Sequence, residues 1–268
     1  MRIGYACINM TLGENNITTN RGMIRKTFDA KGLNYVSELS LHNVRDLIEV
    51  IKWNQEHGIN FYRMSSDMFP WSSEYNFNDL PDITKIKNLM SGLGNLVKKY
   101  GHRLTFHPGP FNVLASPNED VVRKTISELD KHSQIMDMLD LPVSPFSKIN
   151  IHVGGSYGNK QDALKRWSDN FERLSDNIKK RLTLENDDKA GGYTVKDLLY
   201  IHERTNIPIV FDYHHHKFNT GGLSEQEAFE LAYSTWKNIT PAFHVSESRD
   251  NKNPRAHHDF IQIGRAHV

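Results

Sequence analysis

Cys7 is the only cysteine in 268 residues, which excludes a disulfide framework and points to a reducing compartment. No apolar run approaches the roughly 18 residues that a membrane helix needs. The start, MRIGYACINMTLG, has one arginine and then a short mixed run, which reads as a first strand rather than a signal peptide. Net charge is nearly absent, since 33 basic residues against 32 acidic ones leave +1. That argues against a generic electrostatic binder of nucleic acid, while leaving room for a local basic face. Nor does any linker or low-complexity tract divide the chain. With 38% hydrophobic and 24% charged residues, it reads as a soluble globular protein long enough to bury a real core.

What is present is a rhythm. Short apolar runs end in polar or ionisable residues and are followed by longer segments of helical period. The runs are residues 2–9, 59–66, 103–108, 148–154, 182–187, 207–215 and 242–248. Between them lie helix-like segments at 41–56, 83–99, 118–138, 160–180, 195–204 and 225–237, with apolar residues three and four apart. Ser116-Pro-Asn-Glu119 fits a capping box with proline at the first helical position, and Thr194-Val-Lys-Asp197 is nearly one. Strands alternating with helices give parallel βα units. Seven strands are too many for a small doubly wound sheet and almost enough for a TIM (β/α)8-type barrel, which needs roughly 250 residues.

Barrels of this kind carry their active sites at the C-terminal ends of the strands. Those ends bear Asn9, Ser65-Ser66-Asp67, His107, His152, Glu185, Asp212 with His214–His216, and His244. Each alone has an ordinary reading, for a histidine before a turn is often a satisfied polar cap. Glu185 in "LTLEND" is harder to dismiss, because a buried carboxylate needs a cation, a hydrogen-bond network or a raised pKa. Five strand tips in a row point to a metal site. Carboxylates with neutral imidazoles suit zinc, manganese or iron, whereas softer metals would want thiolates the chain lacks. A carboxylate has two oxygens, so Glu185 is a natural bridge between two cations. Paired cations can clamp the oxygens of a phosphodiester and lower the pKa of water from about 15.7 towards 7.

The motifs "GYACIN", "YRMSSDMFP", "FHPGPF", "INIHVGGSYGNK", "LTLENDDK", "FDYHHH", "HVSES" and "RAHHDF" together resemble the UV damage endonuclease family, from Met1 to about Ile261. The resemblance implies a metal-dependent TIM-barrel endonuclease that nicks double-stranded DNA on the 5′ side of UV photoproducts. It implies a barrel and trinuclear metal site similar to those of the apurinic endonuclease IV family. Carried over by motif, His107 and His152 hold one metal, and Glu185 bridges it to a second held by Asp212 and His244. His215, three residues after Asp212, and His257 in "RAHHD" hold a third. His214 and His216 are expected to pack or to face solvent. The ions are two or three divalent cations, manganese first, with zinc or iron as alternatives.

The resemblance also implies lesion-reading positions. Tyr5 and Asn9 match residues that contact the damaged nucleotides. Pro110-Phe111 stands where the family commonly has Gln-Tyr wedged into the gap in the duplex. Phe111 can still stack on a base, while Pro110 lacks the amide that would bond orphaned bases; a place for Phe111 in the core is the alternative. The loop from Gly154 to Lys160, with Tyr157, lets DNA backbone approach, with Lys160 on a phosphate, unless it is a plain surface loop.

Two departures stand out. A lysine often found two residues before the seventh-strand histidine is Ala242 here, so any role for its carboxylated form is absent. The eighth strand, which carries a metal-ligating glutamate in the family, is missing. The last residues, "IGRAHV", are what a common sequencing adapter encodes in one frame. The genuine domain is therefore expected to be 1–261, with 262–268 a non-native tail and His267 without meaning. The expectation is a monomeric cytoplasmic enzyme, nucleoid-associated if bacterial, with no membrane partner. The rivals are a sugar isomerase or epimerase of the same barrel superfamily, an abasic-site endonuclease, and a non-catalytic damage-binding remnant.

Overall fold

A computed structural model of the chain describes residues 2–261; the expectations for 262–268, His267 among them, lie outside these. The elements run β1 Gly4–Ala6, α1 Met10–Gly13, α2 Arg25–Glu56, β2 Phe61–Met64, α3 Ile83–Tyr100, β3 Arg103–Phe106, α4 Glu119–Met138, β4 Ile149–Ile151, α5 Lys160–Phe171, α6 Asp176–Arg181, β5 Leu182–Glu185, α7 Val195–Thr205, β6 Ile209–Val210, α8 Tyr213–Phe218 and α9 Glu225–Ser234. The strands neighbour one another in chain order, β1 to β6, and pair in parallel. Two compact units are present, Met1–Gly109 with Ser127–Ile149, and Pro110–Ile126 with the chain from Asn150 onward.

In the first unit, α3 forms because Ile86, Met90, Leu93 and Val97 recur at helical spacing and are all buried. It ends at Gly101, whose φ of 68° is left-handed and whose N–H returns to the carbonyls of Val97 and Lys98. Gly94 on the same helix is required for a different reason. A Cβ there would lie 2.0 Å from the carbonyl oxygen of Leu139, so only glycine allows the backbones to approach this closely.

In the second unit, β5 is buried along its whole length, as parallel strands covered on both faces are. Helix α5 buries Ala163, Leu164, Trp167 and Phe171. Helix α7 opens with a complete capping box: the Thr194 hydroxyl accepts from the Asp197 N–H, and the Asp197 carboxylate accepts from the Thr194 N–H.

Four expectations are corrected. The seventh strand, 242–248, reduces to a single parallel bridge between Asp212 and His244, so six strands rather than seven are found among the described residues. The cause is its neighbour: β6 stops at Val210 and the chain turns into α8 with Asp212 as N-cap, leaving one residue to pair. The strand expected over 207–215 therefore gives way to a helix that carries all three histidines. At 118–138, Asn118 replaces Ser116 as the cap, its Oδ1 accepting from the Asp120 N–H at 2.9 Å. Finally, the segment 160–180 breaks in two, with Ser175 in extended conformation as N-cap of α6. No helix of the described residues is long and apolar enough to cross a membrane.

Candidate metal centre

Pleat parity sets the first part of the site. Asn150 precedes His152 by two residues and Thr183 precedes Glu185 by two, so each pair projects on one side of its strand. The Thr183 hydroxyl donates to Asn150 Oδ1 at 2.7 Å, and the Asn150 amide donates to Glu185 Oε2. Glu185 is 2% exposed and has three imidazoles around it. His244 Nδ1 lies 2.8 Å from Oε2, His215 Nδ1 3.5 Å from Oε1, and His152 Nε2 3.9 Å from Oε1.

Asp212 supplies the second buried carboxylate, also 2% exposed. As N-cap of α8 its Oδ1 accepts from the His215 N–H at 2.8 Å, an interaction that accounts for the three-residue spacing between them. Its Oδ2 lies 3.9 Å from Nδ1 of both His215 and His244. Burial, with the charge of Glu185 added, raises the Asp212 pKa well above the usual carboxylate range.

His215 donates from Nδ1 to the carbonyl of Asn186 at 2.8 Å. A carbonyl only accepts, so the neutral ring carries its proton there and turns a lone pair outward at Nε2. That atom faces Nε2 of His257 at 3.2 Å, while His257 Nδ1 lies 2.6 Å from the Ser246 hydroxyl. His214 and His216 are both 3% exposed. They pack, His214 against Phe218 and the ring of His257, and His216 against Phe211, and burial lowers both their pKa values.

These side chains fall into two donor sets, Glu185 with Asp212 and His244, and Asp212 with His215 and His257. Within each, one ligand atom per residue lies within 4.8 Å of the others. The arrangement fits divalent cations on its own chemistry. Two buried carboxylates converge on imidazole nitrogens, the setting in which cations offset the cost of burial. Oxygen and imidazole donors without thiolate suit manganese, zinc or iron.

His152 has Nε2 turned towards Glu185 and Nδ1 2.9 Å from Asp187 Oδ1. Burial pulls its pKa down, but the contact with Asp187 and the charges of Glu185, Asp187 and Asp212 outweigh this and raise it to about 9. His107 follows β3 in the first unit and is half-buried. Tyr5 and Asn9, in the same unit, are bonded to each other. The Asn9 amide donates to the Tyr5 hydroxyl at 2.8 Å, and that hydroxyl donates to Asn54 Oδ1 at 2.7 Å.

Pro110 and Phe111 open the second unit, with Phe111 87% exposed, which removes the alternative that it is a core aromatic. Tyr157 is 47% exposed at a left-handed φ of 49°. The glycine before its loop, Gly154, has φ 101°, and a Cβ there would strike Val113 at 1.7 Å. Lys160 is engaged elsewhere: its Nζ lies 3.1 Å from Asp197 Oδ2, within the capping box of α7, and above the ring of Tyr193. Asn150, Asn186, Asp187 and Ser246 escaped the sequence reading. "ENDD" carried a signal for two of them, since polar residues directly after a buried glutamate have to be accounted for.

A family model described as UV-endonuclease UvdE matches residues 1–268. The chain belongs to the UV-damage endonuclease family. A protein of Acanthamoeba polyphaga mimivirus is 37% identical over 265 residues, covering 97% of this chain and 80% of that one. The UV-damage endonuclease of Schizosaccharomyces pombe is 37% identical over 276 residues, and the chain spans 45% of its length. The UV DNA damage endonuclease of Bacillus cereus is 36% identical over 225 residues, covering 82% of this chain and 69% of that one. The crystal structure of SacUVDE matches with a TM-score of 0.88 at 35% identity, over 98% of this chain and 86% of that chain. A D-psicose 3-epimerase of Clostridium cellulolyticum H10 matches with a TM-score of 0.56 at 14% identity, over 75% of this chain and 68% of the other, a likeness of fold alone. The α/β class expected from the sequence is what the described residues show, as six strands neighbouring one another in chain order.

Proposed function

We propose that the chain is a DNA repair endonuclease that hydrolyses the phosphodiester 5′ to UV photoproducts in double-stranded DNA, leaving a 3′-hydroxyl. The observation that carries this is the meeting of Glu185, Asp212, His215, His244 and His257 at the ends of β5 and β6 in a chain of this family. Two or three divalent ions would be held there, manganese first, with zinc or iron as alternatives. Glu185 would serve two of them, Asp212 and His244 would complete the second site, and His215 with His257 and Asp212 would make the third. His107 joins His152 and Glu185 on its motif position in the sequence.

Such cations, when bound, acidify water and offset the charge that builds on the phosphodiester oxygens. The protein's own part is to hold that site in place. Asn150 fixes the Glu185 carboxylate, α8 fixes Asp212 and His215 relative to each other, and burial keeps competing water away. Phe111, exposed on its loop, stacks where bases leave the duplex; Pro110 offers no side-chain hydrogen bond. Tyr5, Asn9 and Tyr157 contact the displaced nucleotides, and Lys160 is left with Asp197. The enzyme acts as a monomer in the compartment that holds its DNA, the cytoplasm or nucleoid in a bacterium.

The test is plasmid nicking with purified protein and Mn2+. Relaxation of irradiated plasmid, with unirradiated plasmid intact, supports the reading. Cleavage of an abasic duplex alone, conversion of an aldose to a ketose without nicking, or retention of irradiated DNA without cutting would each assign the site to one of the rivals.

A further inference from the structure

Glu185 is followed by two residues whose side chains leave β5 in opposite directions. Asn186, fully buried, turns towards β6. Its amide donates to the carbonyl of Asp212 at 3.0 Å, and its Oδ1 accepts from the Asp212 N–H at 2.8 Å. The last backbone pair of β5 and β6 is Glu185 with Val210, so these two bonds continue the ladder with a side chain where the backbone ladder has ended. The carbonyl of the same residue holds Nδ1 of His215. One residue therefore sets both the backbone of Asp212 and the ring of His215.

Asp187 turns towards β4. Its Oδ1 lies 2.9 Å from His152 Nδ1, and its Oδ2 accepts from the Tyr193 N–H at 2.9 Å. Asp187 also donates its own N–H to the Tyr193 carbonyl at 2.8 Å. The loop between them is closed on this carboxylate, since a Cβ on Gly192 would stand 2.5 Å from Asp187 Cβ. The Tyr193 hydroxyl then donates to the carbonyl of Gly155 at 3.2 Å. The carboxylate is thus fixed from behind before it meets His152, the condition for orienting a ring instead of following it.

We infer that Asn186-Asp187 is the positioning element of the metal centre, Asp187 aiming His152 Nε2 and Asn186 aiming Asp212 and His215 Nε2. Neither residue is a ligand. The inference rests on the metal reading above and extends it to residues that touch no ion. Partners of this kind, set against the far nitrogen of a ligating histidine, are worth about 10- to 100-fold in metal affinity.

Mn2+ titration of the wild type, Asp187→Asn, Asn186→Ala and Tyr193→Phe, with metal-free melting temperatures of each, tests this. Asp187→Asn is isosteric and keeps the Tyr193 contact, but it removes a charge beside His152. Metal-free melting temperatures are therefore compared at about pH 10, above the range where that charge stabilises the fold. They should match the wild type there, while affinity at neutral pH falls about 10- to 100-fold. Asn186→Ala should weaken binding to a similar degree, with its fold checked by circular dichroism. Tyr193→Phe removes the hydroxyl's bond to Gly155 but keeps both bonds that the Tyr193 backbone makes with Asp187, and should bind within about twofold of wild type. A variant at 186 or 187 that binds as tightly as wild type removes that residue from the role. Equal losses of affinity and melting temperature in Asp187→Asn would make its part structural and overturn the inference there. A wild type that binds no Mn2+, Zn2+ or Fe2+ would overturn the metal reading itself, and this inference with it.

Discussion

The Nε2 atoms of His215 and His257 face each other at 3.2 Å, and the proton of the neutral His215 ring is committed to the Asn186 carbonyl on its far side. A lone pair pointed at a neighbouring imidazole is what a bound cation or a shared proton would satisfy. Because Asp212 holds the His215 N–H, carboxylate and ring move as one piece.

His257 is exposed, so replacing it should spare the fold while emptying one site. His257→Ala is expected to carry one metal equivalent fewer than wild type after dialysis, measured by elemental analysis, with the remaining ions retained. An unchanged metal content would remove His257 from the donor set.

The pH dependence of the metal-free protein follows from two raised pKa values. His152, at about 9 against an ordinary 6.5, contributes stability that is fully present below pH 6.5 and is lost as pH rises through 9. Asp212, raised chiefly by burial, keeps a proton in the folded state that the unfolded chain would release, so its effect also falls as pH rises. In EDTA, denaturant melts should therefore show stability decreasing from about pH 5 to 9, with His152 contributing roughly 3 kcal/mol. Metal affinity should run the other way, increasing with pH as protons leave the same donors. A metal-free stability that rises over this range would contradict the assignment.

Phe111 is 87% exposed, so its removal costs the fold little. If it stacks on a base, Phe111→Ala should weaken binding to irradiated duplex roughly 5- to 150-fold, corresponding to about 1–3 kcal/mol, with no change in metal content. Fluorescence anisotropy with a lesion-bearing oligonucleotide provides the readout, and equal affinities would place the loop away from DNA.

Lys160 is paired with Asp197 at a helix cap. Lys160→Met should lower stability by less than about 1 kcal/mol and leave the salt dependence of DNA binding unchanged. A slope reduced by about 0.9 would instead put Lys160 on a phosphate.

Much of the centre could be read from single residues at strand ends, because burial makes an acid such as Glu185 conspicuous wherever a strand leaves the core. The pattern misled where the outcome depended on a neighbour. "AFHVSES" alternates like a strand, yet β6 turns into α8 too early to pair with more than His244. Likewise "YHHHKF" carries no sign that it is helical until Asp212 is seen to cap it. Asn186 and Asp187 were hidden because their roles are to backbone and ring partners distant in sequence, which spacing along the chain does not encode. The ion pair of Lys160 was hidden for the same reason: its partner, Asp197, lies 37 residues away.

Glu185→Gln tests the centre most directly, because it keeps the shape of the side chain and removes the charge that two ions would share. Metal content and nicking of irradiated plasmid should be measured on the same preparation. The account predicts a loss of more than one metal equivalent and a fall in nicking of roughly a thousandfold, with the fold retained by circular dichroism. Wild-type metal content with undiminished nicking would show that Glu185 bridges nothing and would contradict the account at its centre.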